Sequence, residues 1–407
     1  MNRTVCAAAT VLIAGVASST TAVQLSRPVA FPTVQVTTAA TESVVTQAPV
    51  PVQLPPQGSL ALATQFGEPL ATLAAAVPRP IGSVAKAMTA LVVLDAHPLR
   101  TSQDDGPMLT MTGEDVALYR SAIAADGSSI PVTVGERLSE RELLLALMLP
   151  SANNIAETLA RWVGGTRAAF VAELNARALR LGMGATHFVD PSGYDPATVS
   201  SAADLVKLGR AVLANPALAS IVATPSATLP DGTPVENLDT LLTIEPGWLG
   251  IKTGETPMAG GCLLFAVRRA VPGGTDSVTM IGAVLGQTDL AAALDAARTA
   301  VRTAYAGFTE VAWSAHPPAI DGDVTAAWGD TSGIHLGGVH GAATSALRPG
   351  DRVTLRTDPL PVATPAATGT VVAIVHAAVD SRDVASWDVE IDAPVDGAPV
   401  LWHIMHG

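Results

Sequence analysis

Ser83 and Lys86 stand three residues apart where an apolar run opens, in Pro78-Arg-Pro-Ile-Gly-Ser-Val-Ala-Lys-Ala-Met-Thr-Ala-Leu-Val-Val-Leu-Asp95. Pro80 and Gly82 break the backbone, and the residues after them carry a helical pattern as far as Pro98. A spacing of three puts both side chains on one face of the first turn. A serine hydroxyl is a weak nucleophile until a neighbouring base takes its proton, and a desolvated lysine can be that base. The helix N-terminus favours a developing alkoxide and disfavours a charged lysine. Lysine is otherwise scarce. The chain has only Lys86, Lys207 and Lys252 among its 23 basic residues, the rest being arginine. Arginine does not deprotonate in proteins, so lysine is kept where a titratable amine is needed.

Two further patches follow in the chain: Ser151-Ala152-Asn153 after Pro150, and Lys252-Thr253-Gly254 at the end of an apolar run. Helices must position them. Glu136 to Leu149 has an apolar face of Leu138, Leu143, Leu144, Leu147 and Met148, with Ser139 able to cap onto Glu142. Pro150 interrupts it, and helices are expected at 155–163, 170–181 and 202–213. The runs 59–64 and 71–76 predict paired strands, and 261–267 and 277–285 predict two more, closed by a helix over 290–305.

The order Ser-x-x-Lys, Ser-x-Asn, Lys-Thr-Gly resembles the pattern of penicillin-binding proteins and class A β-lactamases, with Ala152 where their middle element, Ser-Asp-Asn, has Asp. Met148-Leu-Pro-Ser-Ala-Asn-Asn154, Phe170 to Met183, Asp190-Pro-Ser-Gly-Tyr194 and Gly250-Ile-Lys-Thr-Gly254 make the resemblance specific to the serine D-alanyl-D-alanine carboxypeptidases, the low-molecular-mass penicillin-binding proteins. It implies an α/β (α+β) fold, helices packed on an antiparallel sheet. It implies catalytic Ser83, Lys86 and Ser151, and substrate-binding Asn153, Lys252, Thr253, Gly254 and Glu255. The oxyanion would be held by the backbone amides of Ser83 and Glu255, and Gly254 would let the backbone approach substrate. The partners implied are peptidoglycan stem peptides ending in D-Ala-D-Ala, and β-lactams. No metal or organic cofactor is implied. Glu255 places a carboxylate beside a site for an anionic terminus, so Glu255→Gln is expected to lower the apparent KM.

A β-lactamase is the alternative. It needs a glutamate for deacylation. Glu173-Leu174-Asn175 has only Val171 two residues before it, and a helix runs on to Leu181-Gly182-Met183. A non-catalytic wall-binding protein would need a broken motif, and the three are intact.

Net charge is -13 and there is no Lys/Arg run, which excludes nucleic acid as a partner. Residues 1–26 open on Arg3 and an uncharged apolar run, and read as an export signal or an N-terminal membrane anchor. Cys6 lies in that run, so no disulfide with Cys262 is expected. The expected division is a Pro/Thr/Val-rich linker over 27–57, a catalytic domain over 58–308, and a small all-β domain over 309–407 with strands at 353–355, 369–376, 387–391 and 400–404. The bulk of the chain is placed outside the cytoplasm.

Overall fold

The computed structural model describes residues 28–39, 41–42, 45, 48–379 and 382–406, together with Val23 and Leu25. The expected export segment therefore lies almost wholly outside the described residues. Among those described, no single helix is long and apolar enough to cross a membrane. The chain divides into two compact units, one of residues 48–309 and one of 310–407 with residues up to 47.

The second unit draws on both ends of the chain, which the sequence did not indicate. Thr33–Thr38, within the stretch read as a linker, is a strand (β1) that pairs antiparallel with Ile320–Thr325. The residues are β-branched at Thr33, Val34, Val36 and Thr37 and alternate in exposure. An extended stretch of that kind pairs readily with a sheet edge.

In the first unit, β2 (Ser59–Thr64) and β3 (Pro69–Leu73) form a hairpin that leads to the Ser83 turn. Helix α1 (Lys86–Ala96) follows, and Lys86 to Leu94 are buried without a break. A helix that is apolar all round belongs inside a core, and α3 (Glu140–Met148), α4 (Asn153–Gly164) and α5 (Arg167–Arg180) pack against α1, while α2 (Gly113–Ala124) packs on α4. The capping box expected at Ser139 is formed: Ser139 Oγ accepts from Glu142 N, and Glu142 Oε2 accepts from Ser139 N. Because Ser139 is the cap, α3 begins at Glu140. Residues Arg137–Ser139 instead pair as a short strand with Met108–Thr110.

Helix α6 (Ala202–Ala214) precedes β4 (Trp248–Thr256), β5 (Gly260–Ala270) and β6 (Ser277–Gln287), and α7 (Leu290–Tyr305) closes the unit. The five strands lie in the order β4-β5-β6-β2-β3, antiparallel throughout. Alternate residues Ala61, Ala63, Leu264, Ala266, Ile281 and Ala283 enter the core shared with α6 and the other helices. Their neighbours Leu60, Leu62, Leu263 and Phe265 are equally buried on the opposite face, where α7 packs. A sheet covered on both sides explains why these strands are apolar runs with no polar alternation.

The second unit contains the pair Thr309–Ala312 with Thr344–Leu347 and, apart from it, a sheet of seven strands. In it β1 is followed by β7 (Ile320–Thr325), β8 (Thr331–Gly341), then β11 (Arg382–Ile391), β10 (Val371–Val379), β9 (Val353–Pro359) and the short Thr41–Glu42. Val400 to Ile404, expected as a strand, is part of a helix, α8 (Val400–His406). Pro399 starts it, its carbonyl accepting from the amides of Trp402 and His403. The apolar pairs Val400/Ile404 and Leu401/Met405 are spaced by four, a helical period.

Candidate active site

Lys86 Nζ is the centre of the site. It lies 2.7 Å from Ser83 Oγ, 2.6 Å from Asn153 Oδ1 and 3.1 Å from the carbonyl oxygen of Ser192. Ser83 sits in a short 3₁₀ turn, Gly82–Ala85, immediately before α1, and Lys86 is that helix's first residue. Three acceptors around one nitrogen have a definite chemical consequence. An ammonium donates to all three. A neutral amine has two protons and one lone pair; with Asn153 Oδ1 and the Ser192 carbonyl able only to accept, the lone pair is left for the Ser83 hydroxyl proton. Lys86 is fully buried. Burial first, and the nearby cation Lys252 second, hold its pKa well below the ordinary lysine value, while Asp190 pulls the other way. The neutral, proton-accepting form is thereby favoured.

Asn153 reaches Lys86 from the start of α4. Its backbone N–H donates to Ser128 O at 2.7 Å, and Asn154 exchanges two hydrogen bonds with the backbone of Ile130. Ser151 lies at the break between α3 and α4 with φ +66°. That is the left-handed region, uncommon for a residue with a side chain. Its Oγ is buried and has no hydrogen-bond partner among the described residues, so a hydroxyl is held ready without an internal use for it.

Lys252 and Thr253 are buried on β4, Lys252 Nζ lying 3.4 Å from Thr253 Oγ1. Burial lowers the Lys252 pKa to about 7, and Asp239 opposes the fall. Asp239 is itself pushed up to about 6 by burial, against the hydrogen bonds it accepts from Trp248 Nε1 and Leu241 N. Gly254 is where β4 touches the Ser83 turn. A Cβ there would lie 2.6 Å from Ile81 O, 3.0 Å from Val84 N and 3.1 Å from Ser83 N. The glycine thus permits close approach of strand to turn, and from the other side a Cβ placed on Gly82 would lie 3.3 Å from Glu255 N. The close approach visible in the structure is to this turn.

Glu255 has its carboxylate turned aside. Oε1 accepts from Leu290 N at 3.2 Å, at the N-terminus of α7, where the helix dipole favours a negative charge. The KM change expected for Glu255→Gln accordingly shrinks to less than about threefold, with a stability loss of about 0.5 kcal/mol. Steady-state kinetics beside a thermal melt checks both, and a large fall in KM would restore the repulsion argument.

Sequence reasoning did not assign a role to the segment 190–198, which supplies the third acceptor of Lys86. Asp190 is buried and accepts from Ser192 N and Oγ, Tyr194 N and Thr198 Oγ1. This fixes the turn that presents the Ser192 carbonyl, and Thr89 on α1 donates to Pro191 O at 2.6 Å. The signal was present as Asp-x-Ser-Gly, a turn in which an aspartate accepts from backbone amides ahead of it. No hydrogen bond among the described residues joins Ser151 or Lys252 to the Ser83–Lys86–Asn153 group.

A serine hydroxyl on a buried amine, with a second buried lysine beside it, is laid out for acyl transfer. The sequence signature of the D-alanyl-D-alanine carboxypeptidases, peptidase S11, matches residues 45–288. The chain belongs to this family. A D-alanyl-D-alanine carboxypeptidase of Mycobacterium tuberculosis is 37% identical over 199 residues, covering 47% of this chain and 64% of that protein. One from Streptomyces sp. K15 is 32% identical over 251 residues, covering 58% of this chain and 82% of its own length. The crystal structure of the Streptomyces K15 DD-transpeptidase superposes with a TM-score of 0.54 at 30% identity, over 65% of this chain and all of that one. The matched span takes in Ser83, Lys86, Ser151, Asn153 and Lys252 to Glu255, so the S11 region of the chain is its first unit.

Proposed function

We propose that the protein is a serine D,D-carboxypeptidase that removes the terminal D-alanine from peptidoglycan stem peptides through an acyl-enzyme on Ser83, and that β-lactams acylate the same serine. The observation that carries this is the 2.7 Å contact of Lys86 Nζ with Ser83 Oγ, with the other two acceptors of that nitrogen already filled by protein. Ser83 Oγ attacks the carbonyl carbon of the penultimate D-Ala as its proton passes to Lys86. The backbone N–H groups of Ser83 and Glu255 hold the oxyanion. Collapse breaks the peptide bond, and the departing amine takes a proton through Ser151. Water then hydrolyses the ester. Asn153 holds the peptide amide, Lys252 and Thr253 take the terminal carboxylate, and Gly254 keeps β4 against the Ser83 turn.

The β-lactamase alternative is not favoured, since Glu173 is an exposed residue on α5. The apolar N-terminal segment supports export to the cell envelope, with that segment as a cleaved signal or membrane anchor. The test is D-alanine release from a peptide ending in D-Ala-D-Ala, with a benzylpenicillin mass adduct mapped to Ser83. A folded protein that neither releases D-alanine nor takes up the adduct would sink the proposal. Adduct formation with rapid turnover of the antibiotic would favour the lactamase.

A further inference from the structure

Asp239 lies in the segment that leads into β4, and the reaction above does not use it. It is buried, and each of its oxygens accepts one hydrogen bond, Oδ2 from Trp248 Nε1 at 2.8 Å and Oδ1 from Leu241 N at 3.2 Å. Two donors on two oxygens suit a carboxylate, since an amide would turn an N–H toward one of them. The segment is itself tied down. Asp239 N donates to Asn237 Oδ1, Asn237 Nδ2 to the carbonyls of Val222 and Thr224, and Leu238 N to Leu149 O, two residues before Ser151. A negative charge is therefore fixed in one place, out of water, with no hydrogen bond from a cationic side chain among the described residues.

A buried carboxylate needs a compensating cation nearby. The cation whose charge Asp239 feels is Lys252, four residues beyond Trp248 on β4. Lys252 is equally buried, and its hydrogen-bond partner is the neutral hydroxyl of Thr253. The elements packed on β4 bring it little other charge. Across β5 its partner is Leu264. The turn Gly82–Ala85 and the short helices Pro216–Val222 and Leu241–Ile244 carry no charged residue. Helix α1 brings Lys86, a second cation, Glu255 is turned to Leu290 N, and the charged residues of α7, Asp295, Arg298 and Arg302, are exposed. Asp239 is thus the anion placed to offset Lys252.

Resting on the carboxypeptidase reading, in which Lys252 takes the terminal carboxylate, we propose that Asp239 is a positioning residue whose fixed negative charge holds Lys252 as an ammonium, so that the substrate's carboxylate meets a cation in a buried site. It acts through Lys252. Burial lowers the Lys252 pKa to about 7, and Asp239 opposes the fall. Asp239 is itself pushed up to about 6 by burial, so it is ionised where Lys252 begins to lose its proton. Without that charge the Lys252 pKa should drop further, by about one unit for a single buried counter-charge.

The experiment measures KM of the full protein for a peptide ending in D-Ala-D-Ala between pH 5 and pH 9. Beside it stand Asp239→Asn and Asp239→Ser, two neutral replacements of which the second can accept from both donors, and Asn237→Ala, which loosens the same segment but keeps the charge. The parent's KM is expected to climb above about pH 7. In the neutral variants the climb is expected to start about one unit lower, so that KM near pH 8 is about tenfold above the parent's. Near pH 5, where Asp239 carries its own proton, the values should agree. Asn237→Ala is expected to lose stability and keep the parent's midpoint. A KM raised by the same factor at every pH in a folded neutral variant, or an equal shift of midpoint in Asn237→Ala, would assign Asp239 to the fold alone and overturn the inference. So would a parent that releases D-alanine with a KM flat across the range, which leaves the carboxypeptidase reading intact. No D-alanine release by the parent would overturn both.

Discussion

Lys86→Met is expected to slow acylation of Ser83 by benzylpenicillin by about 10³-fold while leaving a folded protein. Methionine matches the length of lysine and suits a fully buried position, but it has no lone pair able to take the serine proton. In the parent, burial and Lys252 keep the Lys86 pKa well below that of ordinary lysine. Its rate therefore rises with pH as Lys86 loses its proton, starting far below the pH at which a solvated lysine would do so. The residual rate of the variant should lack this acid limb. Lys252 acts in the opposite sense. It must carry charge to hold a carboxylate, and burial lowers its pKa to about 7. Binding of the terminal carboxylate favours the protonated form, so KM should climb on the alkaline side. The measurement is the acylation rate, followed by loss of the antibiotic's absorbance or by mass spectrometry, between pH 5 and pH 9. A variant within tenfold of the parent would show that another group takes the proton.

What the sequence revealed of this site is what is local. The three-residue spacing of Ser83 and Lys86 is a geometric fact of one helical turn, and the capping of Ser139 by Glu142 is equally short-range. Helix α7 also has the expected ends, because Leu290 to Tyr305 is amphipathic over its whole length. Asn153 reaching Lys86 is another matter: 67 residues separate them, and only the packing of α4 on α1 closes the gap. The Ser192 carbonyl leaves no side-chain signature at all, being a backbone group whose position is set by Asp190. In the second unit, β1 was hidden because Val/Thr alternation in a Pro-rich stretch reads equally as a solvated extended chain, and only a partner edge at β7 decides. Residues 400–404 failed for a different reason. Their side chains are exposed or only partly buried, so no burial pattern separates a short strand from a short helix, and Pro399 tips the balance.

Gly193→Ala is expected to lower kcat/KM by about 10²-fold and stability by about 1–3 kcal/mol. Gly193 has φ +73°, and a Cβ on it would fall inside the van der Waals radius of the Gly82 carbonyl oxygen, with Ala85 Cβ 2.8 Å away. Gly82 precedes Ser83, so relief of that clash must move either the nucleophile's turn or the segment that presents the Ser192 carbonyl to Lys86. Either movement disturbs the three-acceptor arrangement that leaves the lone pair for Ser83. Gly182 supplies the control. It has a similar φ of +69° just beyond α5, yet nothing lies within 4 Å of a Cβ placed there. Gly182→Ala should therefore pay only the left-handed backbone penalty, about 1 kcal/mol, with kcat/KM unchanged. If both variants lost stability alone, the Gly193 contact would be a matter of chain conformation. A kinetic loss confined to Gly193→Ala, with the acid limb of acylation shifted, would trace the defect to the Ser192 carbonyl and its hold on Lys86.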